Sequence, residues 1–343
     1  MIITSITTKY SSIELKNPFI TSLRRVEVVE SIQVSIVTDR GIIGIGSAPP
    51  TKAITGEDLV TIVKSIETIF IPLLVNKKVD LALIKELADF KINYTSAKCS
   101  LDLALYDILS QSKNIPLYQL LGTKKSSIQT DVTISLNSVK QMSEDSQEAI
   151  QNGFNILKIK LGSSVVEDLQ RVNLILKKCP NAKLLLDINQ AYTLEESLSF
   201  IGSLESQNIL LMEQPTPAND LESLKKITQK SNIPILADES VFSYEDAKFI
   251  IKNRCADMIN IKLMKCGGIY NATKIAELCR TNGVKCMIGS MLEDPYSIEY
   301  AMHFAMANLD VINVFDLDSP LLYKSMPSYS NITFNKNILS LKQ

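Results

Sequence analysis

Three short apolar runs in the middle of the chain, LLLD, LLME and ILAD, each end in a carboxylate, and lysines bracket them at nearly the same spacing. The series Lys160, Asp187, Glu213, Asp238, Lys262 advances by 27, 26, 25 and 24 residues. One further step of 27 backward lands on Thr133, and two steps of 27 forward from Lys262 pass Gly289 and reach Asp316. That interval holds one strand, one helix and two loops, so the spacing predicts a (β/α)8-type barrel. Barrels of this kind collect their functional groups at the C-terminal ends of the strands.

From Ile128 onward the alternation is regular. Strands are expected at Gln129–Ser135, Ile156–Lys160, Leu184–Asp187, Ile209–Glu213, Ile235–Asp238, Met258–Ile261, Lys285–Gly289 and Val311–Phe315. Near-continuous apolar runs of this length suit parallel strands buried on both faces. Polar, amphipathic stretches of helical length lie between them, such as Ser143–Asn152, Glu167–Lys178 and Leu194–Glu205.

The first part of the chain reads differently. Ile2–Leu15 and Val26–Val37 are rich in Ile, Val, Thr and Ser and predict antiparallel strands, with Asp39-Arg40-Gly41 turning into a third at Ile42–Gly46. Helices are expected at Glu57–Phe70, Asp80–Phe90 and Ser96–Ser112, the last with Ala97, Leu101, Ala104, Leu105 and Ile108 at helical spacing. Strands followed by helices make an α+β capping domain. The division expected is a cap at residues 1–118, a barrel at 119–320, and a segment at 321–343 that returns to the cap, its stretch Ile332–Leu341 pairing with the N-terminal sheet.

Composition narrows the chemistry. The 343 residues carry a net charge of −1, which gives no reason to expect nucleic-acid or acidic-membrane binding. The N-terminus lacks a secretory pattern, and the longest apolar stretch, near Ile69–Val75, is far too short to span a bilayer. Six cysteines with no metal spacing suit a reduced, cytoplasmic protein. With only one histidine, His303, neither a His-rich zinc site nor a Ser-His-Asp triad is plausible, and His303 is expected to be structural. Proton chemistry must then use Lys, Asp, Glu or Tyr.

The acids Asp187, Glu213 and Asp238 at successive strand ends offer convergent oxygens that suit a hard divalent ion, Mg2+ above all. Each alone could equally cap a helix; three in register are harder to explain that way. Lys158 and Lys160 lie two apart, so they share a strand face. Two ammonium groups beside a metal should depress each other's pKa, which suits a general base. Lys262 lies more than a third of the way around the ring and can address the opposite face of a bound carbon acid. The plainer alternative is a solvated rim of snorkelling lysines.

The order KIK, DIN, EQP, ADES and NIKLMKCGG resembles the enolase superfamily, in its muconate-lactonizing-enzyme-like branch, over essentially the whole chain. Asp316-Leu317-Asp318 resembles the DxD motif of the dipeptide epimerases, and Thr21–Arg24 and Ala48–Gly56 resemble their two capping loops. The resemblance implies 1,1-proton transfer at the α-carbon of a dipeptide's C-terminal residue. Mg2+ on Asp187, Glu213 and Asp238 would receive the substrate carboxylate, and metal and lysines would stabilise the enolate dianion. Lys160 and Lys262 would exchange the proton on opposite faces, and Lys158 would add positive charge beside Lys160. Asp316 and Asp318 would hold the α-ammonium, Thr133 would help hold the carboxylate, and Ile54 and Arg24 would contact the substrate from the cap. Arg25 follows Arg24 directly, so the resemblance leaves open which arginine enters the site.

L-Ala-D/L-Glu or another L-Ala-X dipeptide is the expected substrate, with a homo-oligomer as the expected assembly. Two other activities use the same parts: a cycloisomerase, or an o-succinylbenzoate-synthase-like lyase. A Schiff-base aldolase working through Lys262 is a third reading, though it leaves the three strand-end acids unexplained. A non-catalytic binding protein on a barrel scaffold is a fourth.

Overall fold

The computed structural model describes residues 1–22, 24–123, 127–204 and 208–342. Leu23 of the first capping loop, Glu205 at the end of one expected helix and Gln343 lie outside the described residues. Strands β1 (Ile3–Ile20), β2 (Arg25–Thr38) and β3 (Ile43–Ala48) form an antiparallel meander. The helix Thr95–Lys113 lies on this sheet, and glycine makes the approach possible. A Cβ at Gly46 would meet the Ser100 carbonyl oxygen at 1.9 Å, closer than any real contact allows. The expected helix Glu57–Phe70 begins two residues later and is interrupted: Leu59–Ser65 is α-helical, Ile66–Phe70 is a π turn, and Ile71–Leu74 resumes with proline in its first turn. Pro72 has no N–H to extend the helical ladder, so the chain must adjust around it.

Eight parallel strands follow in sequence order: β5 (Val132–Ile134), β6 (Ile156–Lys160), β7 (Lys183–Asp187), β8 (Ile209–Glu213), β9 (Ile235–Ala237), β10 (Met258–Ile261), β11 (Lys285–Gly289) and β12 (Ile312–Asp316). The Asp131 N–H donates to the Phe315 carbonyl at 3.0 Å, drawing the first and last strands together. The expected first strand splits, because Ser127–Gln129 forms a separate strand, β4, outside the ring.

Strand alternation stacks the barrel interior in layers. Ile156, Leu185, Leu211, Leu236, Met258, Met287 and Val314 pack as one apolar layer inside the ring. Two residues further along the same strands come Lys158, Asp187, Glu213, Asp238, Asn260, Gly289 and Asp316. Side chains two apart share a face, so a buried apolar plug carries a polar mouth directly above it.

The tail corrects one expectation. Tyr323 does reach the capping sheet, bridging to Leu15 and packing with Ile13 and Val29. The stretch Ile332–Leu341, however, folds as the hairpin β13 (Ile332–Asn335) and β14 (Ile338–Leu341), and β14 pairs with β4. β4, which belongs to neither the cap sheet nor the ring, supplies the backbone partners for β14, and unpaired strand edges recruit such pairing.

Candidate active site

The polar layer at the barrel mouth is a network of buried charges. The Lys158 ammonium lies 2.6 Å from Asp316, 2.7 Å from Glu213 and 3.2 Å from Asp187. Lys160 donates to Asp187 at 2.5 Å and lies 5.9 Å above the Phe19 ring, and Lys262 donates to Asp238 at 2.6 Å. The strands bearing Lys160 and Lys262, β6 and β10, are four apart in a ring of eight, so the two lysines face each other. A Cβ on Gly289 would come within 2.9 Å of the Lys262 Cε; the glycine leaves room for that side chain.

The carboxylates by themselves act against the depression expected of the Lys158/Lys160 pair beside a metal. Burial disfavours the charge on Lys158, but Asp316, Glu213 and Asp187 together hold it well above the ordinary lysine value. Burial likewise opposes the charge on Lys262, and Asp238 raises it regardless. Around Lys158 the carboxylates outnumber the ammonium group, so the pairing contribution wins over desolvation. Glu213 moves the other way: burial and the Asp187 charge push it up to about 7. Asp238 is lowered, burial notwithstanding, by Lys262 and Lys265.

The residues present fit a divalent cation. Buried oxygens of Glu213 (Oε2), Asn189 (Oδ1), Glu239 (Oε2) and Asn260 (Oδ1) have no hydrogen-bond partner among the described residues. Glu213 Oε2 lies at ion-pair distance from Lys158, yet without hydrogen-bond geometry. Asp187 and Glu213 are direct register partners, and Asp238 directly follows the next strand, β9. Buried oxygens short of donors, set at or just past neighbouring strand ends, are what Mg2+ coordination calls for. Among the described residues, the acids whose ligand atoms all lie within 4.8 Å of one another are instead Asp131, Asp316 and Asp318. Asp187 and Asp238 turn oxygens to different lysines, Asp187 to Lys160 and Lys158, and Asp238 to Lys262 and Lys265.

The loops that follow the strands are held under strain. Asn189, Gln190 and Gln214 adopt φ of 47°, 67° and 36°, a conformation uncommon outside glycine. Gln214 explains its own position. Its amide donates to Thr216 and Ser240, and its carbonyl accepts from the Asp238 and Ser240 N–H groups, which locks the ends of β8 and β9 together.

One cavity gathers most of the expected residues: Thr133, Lys158, Lys160, Lys262, Asp316 and Asp318 from the barrel, with Arg24 and Ile54 from the cap. Arg24 lines it while Arg25 lies outside, exposed and paired with Glu27 at 3.0 Å. Burial lowers the Arg24 pKa, and no carboxylate among the described residues pairs with its guanidinium. The Thr133 N–H donates to Asp318 at 2.6 Å. His303 stands elsewhere, stacked on Tyr118 and accepting its N–H.

Four residues escaped sequence reasoning. Asn189 and Glu239 line the cavity, and each sits within two residues of an expected acid, in DIN and ADES. Lys265 belongs to NIKLMK, and the short helical turn Leu263–Cys266 brings it back onto Asp238 at 2.5 Å. Asp131 lies two residues before Thr133, and strand alternation alone was enough to flag it.

A capped barrel whose strand ends carry lysines, three ordered acids and a further lysine around a cation-seeking mouth defines a class of metal-assisted barrel enzymes. The chain belongs to the mandelate racemase/muconate lactonizing enzyme family of the enolase superfamily: residues 3–122 match its N-terminal domain, and residues 141–327 match the enolase C-terminal domain-like unit. It is 48% identical to the L-amino acid-D/L-Glu epimerase of Sulfurimonas denitrificans over 98% of both chains. It is 38% identical to the L-Ala-D/L-Glu epimerase of Bacillus subtilis, covering 99% of this chain and 94% of that protein. The substrate-liganded structure of the Bacillus subtilis enzyme superposes with a TM-score of 0.96, at 38% identity over 99% of this chain and 96% of that one. The dipeptide epimerase of Enterococcus faecalis, solved with Mg and L-Leu-L-Tyr, superposes with a TM-score of 0.93, at 35% identity over 99% of this chain and 97% of that one.

Proposed function

We propose that this chain is a Mg2+-dependent dipeptide epimerase that inverts the α-carbon of the C-terminal residue, with L-Ala-D/L-Glu and other L-Ala-X dipeptides as substrates. The observation that carries the reading is the shared cavity: Lys160 and Lys262 enter it from opposite strands, Asp316 and Asp318 line the same wall, and Arg24 reaches it from the cap. The names of the full-length relatives support the same activity.

Asp187, Glu213 and Asp238 would hold the metal. When bound, Mg2+ supplies Lewis-acid stabilisation of the negative charge that develops at the substrate carboxylate. Lys160 and Lys262 remove and return the α-proton, one from each face, so each serves one stereoisomer. Lys158, fully buried, stays cationic and adds positive potential beside Lys160. Asp316 and Asp318 bind the substrate α-ammonium. Thr133 helps to hold the carboxylate end, Ile54 closes over the substrate, and the Arg24 guanidinium meets an anionic second side chain.

The reading includes a cytoplasmic location, which six free cysteines favour, and a homo-oligomer, to be checked by sedimentation. No described helix is long and apolar enough to cross a membrane. The deciding experiment incubates a dipeptide library in D2O with Mg2+ and follows deuterium by mass spectrometry. Free-amino L-Ala-X peptides should gain one deuteron at the second α-carbon, and their N-acetylated forms should react poorly. Efficient turnover of the N-acetylated forms returns the choice to the wider family.

A further inference from the structure

Asp131 has no place in the chemistry described so far, yet it lies against it. It is 1% exposed, and neither carboxyl oxygen has a hydrogen-bond partner among the described residues. Its ligand atom, one from Asp316 and one from Asp318 lie within 4.8 Å of one another. Asp316 accepts from Lys158 at 2.6 Å, and Asp318 accepts from the Thr133 N–H at 2.6 Å. Lys158 is already shared among Asp316, Glu213 and Asp187, so a third ionised acid in this corner has no cation left to it. A buried carboxylate in that position is costly, and a carboxyl beside a carboxylate is relieved by keeping one proton between them.

We propose that Asp131 is a positioning residue of the ammonium subsite, sitting as the neutral acid behind Asp316 and Asp318 and donating its one proton to that pair. The proposal rests on the dipeptide reading above in assigning the subsite to an ammonium group. The shared proton ties the DxD pair to the start of β5, beside the bond from the Thr133 N–H to Asp318, and leaves the pair to receive a single ammonium. Asp131 does not line the cavity and acts only through its two neighbours. The charged groups that face it are Asp316 and Asp318 from the β12 end, Lys158 from β6 and Glu213 from β8. Burial, and then the Asp316 and Asp318 charges, push Asp131 well above the usual carboxylate range, which agrees with the geometry.

Two variants and two readouts test it. Asp131→Asn keeps a neutral donor, whereas Asp131→Leu keeps the branched shape and removes the donor. The infrared difference between wild type and Asp131→Asn at neutral pH should contain the band of a protonated carboxyl, which fixes the state of Asp131, and the KM split between the two variants is what a purely packing role does not produce. Asp131→Asn should retain the wild-type KM for L-Ala-L-Glu, while Asp131→Leu should raise KM by about 10- to 150-fold with a smaller change in kcat. Absence of the infrared band, or equal KM values for the two variants, overturns the proposal. If Asp131→Leu does not fold, the band and the Asn kinetics still decide. A wild-type protein that epimerises no free-amino dipeptide sinks the preceding reading instead, and the infrared band then decides the state of Asp131 by itself.

Discussion

Buried acids serve two different ends in this molecule. In the cap and along its seam with the barrel they finish on the fold itself. Glu57 accepts the Ser96 and Ala97 N–H groups at 2.7 and 3.0 Å, closing the N-terminus of the helix Thr95–Lys113. Asp294 accepts from Tyr296 N–H, Tyr329, Gln33 and Ser31, tying the helix Pro295–Ala307 to the capping sheet. At the barrel mouth, Asp238 finishes on Lys262 and Lys265, and Glu213 Oε2 is held by no hydrogen bond among the described residues, only by the charge of Lys158 at 2.7 Å. The backbone donors to Glu57 and Asp294 cannot leave without unfolding, and the Tyr329, Gln33 and Ser31 side chains on Asp294 belong to the packed seam, whereas an ammonium on a four-carbon stem can turn to another partner. The first arrangement therefore stabilises the fold, and the second is built to exchange its cations.

The sharpest test of that contrast is removal of the exchangeable acids. Asp187→Asn, Glu213→Gln and Asp238→Asn should each lower Mg2+-dependent turnover by several kcal/mol, on the order of 10³-fold or more. Glu213→Gln should keep a melting temperature close to wild type. Asp238→Asn should be the least stable of the three, because it leaves two buried lysines side by side. Near-wild-type turnover by any two variants at subsaturating Mg2+ breaks the comparison.

Next come the lysines that do the exchanging. Lys160→Ala and Lys262→Ala should each reduce interconversion of the stereoisomers by about 10²- to 10⁴-fold. Each should still allow the α-proton of one isomer to exchange with D2O, read by NMR. Substantial epimerisation by Lys262→Ala rules out two bases.

The cap acids should behave in the opposite sense. Glu57→Ala leaves two helix N–H groups without a partner and should destabilise the protein by about 1–3 kcal/mol in urea unfolding. Its kcat should fall far less than its stability does. A variant with full stability and lost turnover would move Glu57 into the functional group of acids.

The smallest effects concern the cap's arginines. Arg24→Ala should reduce kcat/KM for L-Ala-L-Glu by roughly 5- to 150-fold and much less for L-Ala-L-Ala. Arg25→Ala removes an exposed pair with Glu27 and should shift stability by no more than about 0.5 kcal/mol. Equal losses for both substrates in Arg24→Ala show that the residue does not read the side chain.

The sequence by itself determined the ring and the content of its mouth. Spacing alone located seven of the strands nearly as the structure has them, because a parallel strand buried on both faces must be an unbroken apolar run, and such a run is local information. Period-two alternation then set Asp187, Glu213, Asp238 and Asp316 above the apolar layer, again with no long-range contact needed. Only the tertiary structure decided the partnerships. Which arginine enters the cavity depends on how the loop before β2 leaves β1, and the two residues are neighbours with identical side chains. The destination of Ile332–Leu341 depended on which strand the fold laid beside it, and that strand is β4. The direction in which Lys158 and Lys262 shift depended on how many carboxylates surround them, and the acids that Asp131 meets were decided only when β12 closed against β5. Each of these is an electrostatic or edge-pairing choice between residues on different strands, from 24 to about two hundred positions apart, or between near-identical neighbours, and no local pattern in the chain carries it.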